Sequence, residues 1–317
     1  MRKICLVGLY FALLLLQTGC REAKPKLIRE VNFPDIFSPT TIFYNQGKIY
    51  LACNEGNKII VLNDSFGIID SIPIPHSGFG IDSMGIKAGN ITGLCLLPDK
   101  SEPKLWAMRS GSLPSLDSGF IINLKAKSLQ NVSLRKFYDR IRRTKAENRI
   151  DFEGICNFGN RYILANRGNP EFPQNQLVIV PRDFYLMQDS VPFQLSKIGF
   201  QKDSREFYGI KGIDYSFTSD KLFLTASPVS PTNKTSNRPT GHTYLWITDH
   251  FSSMSGITAI NPARIIDLQA IDKAFSNKSI VGLCIIHEDK TKYHLLLLSG
   301  SLAGTTLSIL ELPKIQS

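Results

Sequence analysis

The sequence predicts an all-β fold: a β-propeller of five blades with one surface helix inserted near residues 134–147. Three observations carry this. First, the pattern apolar–x–Gly–Ile/Leu recurs at Ile91, Phe152, Ile210 and Ile280, and in three of the four copies the next residue is cysteine: Cys95, Cys156 and Cys284. So uncommon a residue in the same register marks a repeat. Second, each copy is followed by a turn, a strongly apolar strand ending in small polar residues, a loop and a further apolar strand, the cadence of propeller blades. Third, only Leu134–Arg149 and "LQAIDKAFSN" from Leu268 read as helical, whereas a parallel sheet needs a helix between most strands.

In chain order, Arg2 and Lys3 precede an apolar run of 13 residues, Ile4–Leu16. That is short of the ~20 residues a spanning helix needs and fits an export signal. Gln17-Thr18-Gly19-Cys20 then resembles a lipobox, with Gln17 departing from the usual aliphatic residue. Residues 1–19 are therefore expected to be a lipoprotein signal, 20–26 an acylated Cys20 with a polar tether, and 27–317 a single propeller domain. The expected address is the outer membrane of a Gram-negative bacterium, reached by export. Each acyl CH₂ buried contributes ~0.8 kcal/mol to such an anchor.

Leu27–Phe33 precedes the first blade and is placed to supply the outer strand missing from the last, which would close the ring and remove an exposed sheet edge. The blades are expected at about 36–75, 88–133, 150–199, 208–267 and 279–313; a sixth fits only if it is hidden in the Gly/Ser-rich 75–90 stretch. The first copy, "SPTTIFY" from Ser38, is the most divergent. Between blades two and three, Leu134, Phe137, Tyr138 and Ile141 fall at helical spacing. They give a helix with an apolar stripe and a basic outer face.

The formal charge of +10 becomes +8 once Arg2 and Lys3 leave with the signal, and it is spread along the chain. An exported, lipid-anchored chain of this kind is not expected to bind nucleic acid, and it is expected to act as a monomer. Cys53, Cys95, Cys156 and Cys284 lie in separate apolar runs without a CxxC or a Cys/His cluster, so they read as small buried hydrophobes. Neither a disulfide framework nor a metal is expected, and no cofactor.

"MRSGSLP", "FEGICNFGNRYILANRGN", "LFLTASP" and the helix between blades two and three resemble DUF6929, a bacterial propeller family of unknown function, over most of residues 35–313. The resemblance implies the propeller fold and frequent export, and no reaction. The architecture is also similar to phytase-like esterase and lactonase propellers, an analogy of fold alone. The family tends to carry an acid just before the blade glycine. Here that position reads Thr40, Thr92, Glu153, Lys211 and Val281, so a ring of cation-binding acids is mostly gone.

Strand alternation sets those five positions on a common face of the innermost strands. Glu153 and Lys211, one blade apart, are expected to pair inside the channel. The ends of the second strands add Arg109, Asn166, Arg167, Ser227 and Ser299 at the same mouth. Together with Thr92 these are the channel and ligand-binding candidates, read as a net cationic pocket in which Arg109 and Arg167 grip an anionic group bidentately. The same groups would equally serve to hold the blades in register. The ligand is a small molecule, a glycan or a protein loop. The alternative is a hydrolase of an ester, lactone or phosphate with Glu153 as base, although Glu153 lacks an evident second carboxylate. His76, His242, His250, His287 and His294 stand in no nucleophile context, and there is no G-x-S-x-G elbow. His242 follows the Pro/Ser/Thr-rich loop "SPVSPTNKTSNRPTG", a lid candidate.

Overall fold

The computed structural model of the chain describes residues 23–75, 90–97, 102–144, 149–199, 207–229, 241–254, 256–301 and 304–315. The expected export signal, Cys20, His76, most of the 75–90 stretch and most of the lid candidate lie outside them.

The described strands form five sheets, antiparallel throughout except for one short edge pair. β1 (Lys26–Phe33) leads into blade 1, made of β2 (Pro39–Asn45), β3 (Lys48–Cys53), β4 (Lys58–Asn63) and β5 (Ile68–Pro73). Blade 2 comprises β6 (Ile91–Leu97), β7 (Lys104–Arg109), β8 (Ser118–Asn123) and β9 (Leu129–Ser133). Blade 3 comprises β10 (Phe152–Phe158), β11 (Arg161–Asn166), β12 (Asn175–Pro181) and β13 (Gln194–Ile198). Blade 4 comprises β14 (Phe207–Ser216), β15 (Lys221–Val229) and β16 (Tyr244–Asp249), and β17 (Ala259–Ile260) precedes its outer strand β18 (Arg264–Asp267). Blade 5 has β19 (Ile280–Glu288), β20 (Lys292–Ser301) and β21 (Gly304–Pro313).

As the sequence predicts, β1 completes blade 5 by pairing antiparallel to β21, so one sheet joins both ends of the chain. The expected extent of blade 4 needs one correction. Ala259 and Ile260 pair in parallel with Lys197 and Ile198, giving blade 3 a short fifth strand.

The inner strands β2, β6, β10, β14 and β19 pack side by side in a closed ring. Glycine permits their approach. A Cβ on Gly93 would lie 2.7 Å from Ile155 Cγ2, and one on Gly154 2.7 Å from Ile213 Cγ2. One on Gly212 would meet the Leu283 backbone nitrogen at 2.8 Å, and one on Gly282 Ile42 Cγ2 at 3.1 Å. In each case the space is filled by the residue after the next blade's glycine position, and blade 5 closes onto blade 1 in the same way.

Every inner strand also carries a β-bulge at the residue before that position. The register skips Thr40, Thr92, Glu153, Lys211 and Val281, each of which stands unpaired beside a single residue on the second strand. A bulge re-aims a side chain and tightens local twist. Here it does so five times around one axis.

Side chains also hold neighbouring blades together. Thr92 Oγ1 donates to Phe152 O at 2.6 Å, and Asn175 accepts from Ile210 N at 3.2 Å while donating to Tyr208 O at 2.7 Å. Thr305 Oγ1 reaches Ile36 O at 2.7 Å across the closure.

The helix α1 (Arg135–Arg143) lies between blades 2 and 3 and is somewhat shorter than the 134–147 expected. Leu134, Phe137, Tyr138 and Ile141 are fully buried with Trp106, Phe152 and Phe184. Each such side chain contributes about 1.5–3 kcal/mol. Its basic face is divided: Arg135, Lys136 and Arg143 are exposed, whereas Arg140 and Arg142 are engaged by protein groups. Arg142 turns inward, holding Asp117 at 2.5 and 2.8 Å and Gly111 O at 2.7 Å. Arg140 binds the Gln188 and Val191 carbonyls at 2.8 and 2.9 Å. A second, one-turn helix, α2 (Leu268–Ile271), follows β18 and is capped by Asp267.

Candidate functional site

The bulged residues and the ends of the second strands meet at one mouth of the channel, where the inner strands begin. In blade 3 this produces a compact charged group. Arg167 follows β11, and its Nε and Nη2 donate to Asp151 Oδ2 at 3.1 and 2.5 Å. Its Nη1 lies 2.6 Å from Glu153 Oε1, and Lys211 Nζ of blade 4 reaches the same oxygen at 3.3 Å. Backbone bonds fix this geometry: Arg167 N donates to Asp151 O at 2.9 Å, and Asp151 N to Asn166 Oδ1 at 2.8 Å.

Two acids and two bases balance, so this group is neutral overall. Burial sets its electrostatics. Burial raises the Asp151 carboxyl above its ordinary range and Glu153 adds to the rise, while Arg167 and Lys211 oppose it. Burial likewise lowers the Lys211 ammonium, against the pull of Glu153. For Arg167 burial disfavours the charge, yet Glu153 and Asp151 outweigh it and hold the guanidinium above its usual value. Asp151 keeps 29% of its side-chain surface and Glu153 13%. Asp151 is therefore ringed by protein but wetted from the mouth, and water tempers its shift.

Above this group opens a cavity of about 450 Å³, lined by Ser112, Leu113, Arg149, Ile150, Asp151, Arg167, Gly168, Asn169 and Val229. Arg149 stands on its rim, 66% exposed and 3.4 Å from an equally exposed Glu171. An exposed pair of that kind is worth about 0–1 kcal/mol.

The remaining sequence candidates take other places. Arg109 is 1% exposed, with its guanidinium 5.1 Å over the Phe120 ring and Nη1 3.4 Å from Ser118 Oγ. Burial lowers its pKa, and it is packed inside blade 2 rather than presented to the cavity. Thr92 is buried in its bond to blade 3, and Asn166 is fully buried beneath Asp151. Ser227 is buried 3.1 Å from Thr243 Oγ1, and Ser299 is buried at 5% exposure. The structure thus brings Glu153, Arg167 and Lys211 into one group and sets the other five around it as framework. His242 pairs with Asp267 at 2.5 Å, half-exposed and outside this group.

Sequence reasoning missed Asp151 and Arg149, both in "RIDFEG". The signal was an acid two residues from Glu153, the same-face interval of a strand, obscured because Asp151 precedes the strand and a bulge intervenes.

Deeper along the axis lies a second layer. Two residues beyond the glycine position come Phe43, Cys95, Cys156, Asp214 and Cys284. Asp214 occupies the cysteine register in blade 4, and its carboxylate accepts from Ile285 N of blade 5 at 2.8 Å. Burial raises it to about 6, although these backbone amides pull the other way. Burial also holds the thiols of Cys95, Cys156 and Cys284 well above their usual value. Among the described residues no three His, Cys, Asp or Glu side chains are grouped to hold a metal ion.

Residues 91–233 match DUF6929, a family of unknown function. The DUF6929 match runs from β6 to just past β15, so Asp151, Glu153, Arg167 and Lys211 all fall within it. Among solved structures, Myxococcus xanthus glutaminyl cyclase is similar at 10% identity and a TM-score of 0.51, covering 92% of this chain and 97% of that one. The tail fibre of Staphylococcus aureus phage P68 is similar at 15% identity and a TM-score of 0.50, covering 92% of this chain. This chain spans about half, 53%, of that fibre. At such identities both likenesses concern the fold alone. No curated protein matches the sequence.

Proposed function

We propose that this chain is a lipid-anchored binding propeller of the cell envelope, held through Cys20 at the outer membrane of a Gram-negative bacterium. Its channel-mouth cleft takes a small molecule, glycan end or protein loop that bears an anionic group beside hydroxyl or amide donors. The observation that supports this best is the cavity of about 450 Å³ with Arg149 on its rim and the Asp151–Arg167 pair on its floor. Arg149 supplies the anion contact from the rim, where two thirds of its side chain stays open to solvent. Asp151 offers acceptor oxygens to a donor on the same ligand. Arg167 positions Asp151 rather than gripping the ligand on its own, since three of its N–H groups already face carboxylates.

The test is a thermal-shift panel of sugar acids and phosphate monoesters, each beside its uncharged counterpart. Charged members should raise the melting temperature of the full chain, and Arg149→Ala should abolish the rise. Equal shifts from charged and neutral members would refute the reading.

A second reading rests on Asp151. A wetted carboxyl raised by burial is the kind of group that serves as a general base, so a hydrolase of an ester, lactone or phosphate would use Asp151. Glu153 is the weaker base, because Oε1 already receives both Arg167 and Lys211. Turnover of such substrates that vanishes in Asp151→Asn would favour this reading over simple binding.

A further inference from the structure

The mouth opposite the charged group has its own fivefold feature. The first residue of the second strand is a cation in every blade: Lys48, Lys104, Arg161, Lys221 and Lys292. All five stand at the hairpins joining inner to second strands, so they ring the far end of the channel. Lys221 and Lys292 pair with Asp249 and Glu311. The turns between third and outer strands add Lys125 and Lys127, 79% and 52% exposed and held by Glu102 and Asp70 in surface pairs worth little. Apolar side chains stand out at the same end: Phe217 in the β14–β15 hairpin is 58% exposed, and Ile68 at the start of β5 is 60% exposed.

The chain enters at this end as well. Lys26, the first residue of β1, sits opposite Glu311, which lies next to Lys292 and His294 at the start of β20. Five residues, six chain steps, lead from Cys20 to Lys26. Fully extended, those steps reach at most ~20 Å. If Cys20 is acylated, the hairpin end cannot stand far from the lipid.

We infer that the hairpin face rests on an anionic lipid surface, with Phe217 and Ile68 meeting the headgroup layer and the lysines meeting the lipid charge. The binding cleft then points away from the membrane, open to ligands in solution. Cations at an anionic surface act cumulatively and fade within a Debye length, so the contact is expected to be salt-sensitive. The orientation argument rests on the lipid-anchor reading above, whereas the charge and apolar argument stands without it.

Lysine footprinting on vesicles tests this with the full chain. The protein is labelled with an amine-reactive reagent alone, with phosphatidylcholine vesicles, and with vesicles that also contain phosphatidylglycerol. On the anionic vesicles, labelling of Lys48, Lys125 and Lys127 should fall several-fold, while Lys136 on α1 labels as in solution. The double variant Lys125→Glu, Lys127→Glu should weaken the charge-dependent part of binding by about thirtyfold or more. Protection on anionic vesicles without binding to neutral ones would uphold the face and count against the acyl anchor. Binding to both vesicles with no protection of the hairpin lysines would uphold the anchor and overturn the face. Protection of Lys136 instead would also overturn it.

Discussion

Gly212→Ala is the sharpest mechanical probe of the ring. An added Cβ would come 2.8 Å from Leu283 N and 2.9 Å from Gly282 Cα, both backbone atoms of the adjacent inner strand. Neither atom can rotate away, so β14 and β19 would have to separate. Overpacking of this kind costs about 1–3 kcal/mol. The loss of unfolded-chain freedom returns about 0.4–1 kcal/mol, leaving a net destabilisation of about 1–2 kcal/mol. At about 2–4 °C per kcal/mol, the melting temperature should drop by roughly 2–8 °C. Gly282→Ala should cost less, because its nearest neighbour is Ile42 Cγ2 at 3.1 Å, a side-chain methyl. Differential scanning calorimetry of the two variants gives the comparison. A Gly212→Ala protein as stable as the parent, or less affected than Gly282→Ala, would refute the close-packed ring.

The buried charges and thiols respond to substitution as well. Asp214 is raised to about 6 in the fold, against ~3.9 when unfolded. The folded state therefore keeps this proton to higher pH, and its contribution to stability falls as pH rises from about 4 to about 6, by up to ~3 kcal/mol. Asp214→Asn keeps an acceptor for Ile285 N, so urea melts should show it more stable than the parent at neutral pH, with the gap closing toward pH ~4. Arg142→Ala would strand Asp117, whose side chain is 2% exposed, at a cost of about 3–5 kcal/mol in denaturant unfolding. Asp117→Asn in that background should recover part of it. Cys53, Cys95, Cys156 and Cys284 are all buried, with Cys53 pushed up to about 12 by burial. A thiol reagent at neutral pH should leave all four unmodified until denaturant is added.

Much of the fold is legible in the sequence because its main constraint is local and repeated. Only glycine, or in blade 1 Thr41, occupies the tight inner position, and the next residue is Ile or Leu because it fills the neighbouring blade's gap. Leu27–Phe33 is legible as the closing strand because blade 5 otherwise lacks an outer edge. The bulges are not legible, since one extra residue leaves the hydrophobic pattern intact and shows only in cross-strand register. Arg109 and Arg167 look alike in sequence, each a basic residue at or just past the end of a second strand. One is the last residue of its strand and turns into its own blade, and the other lies one residue beyond and turns to the axis; that one-residue offset decides their chemistry. Arg142 escapes for a similar reason: helical spacing defines the apolar stripe, but not which flanking arginine reaches back to Asp117. Asp214 hides in the cysteine register, where the repeat leads one to expect an apolar residue.

The central functional claim is that an anion-bearing ligand binds above a charge-balanced floor through Arg149. Isothermal titration of the full chain with glucuronate, beside glucose as the uncharged ring, measures it most directly. The account predicts heat of binding for the acid alone, lost in Arg149→Ala and retained when Lys211, beneath the floor, is replaced by Met. Identical titrations for the two sugars, or an Arg149→Ala protein that binds the acid as the parent does, would contradict it.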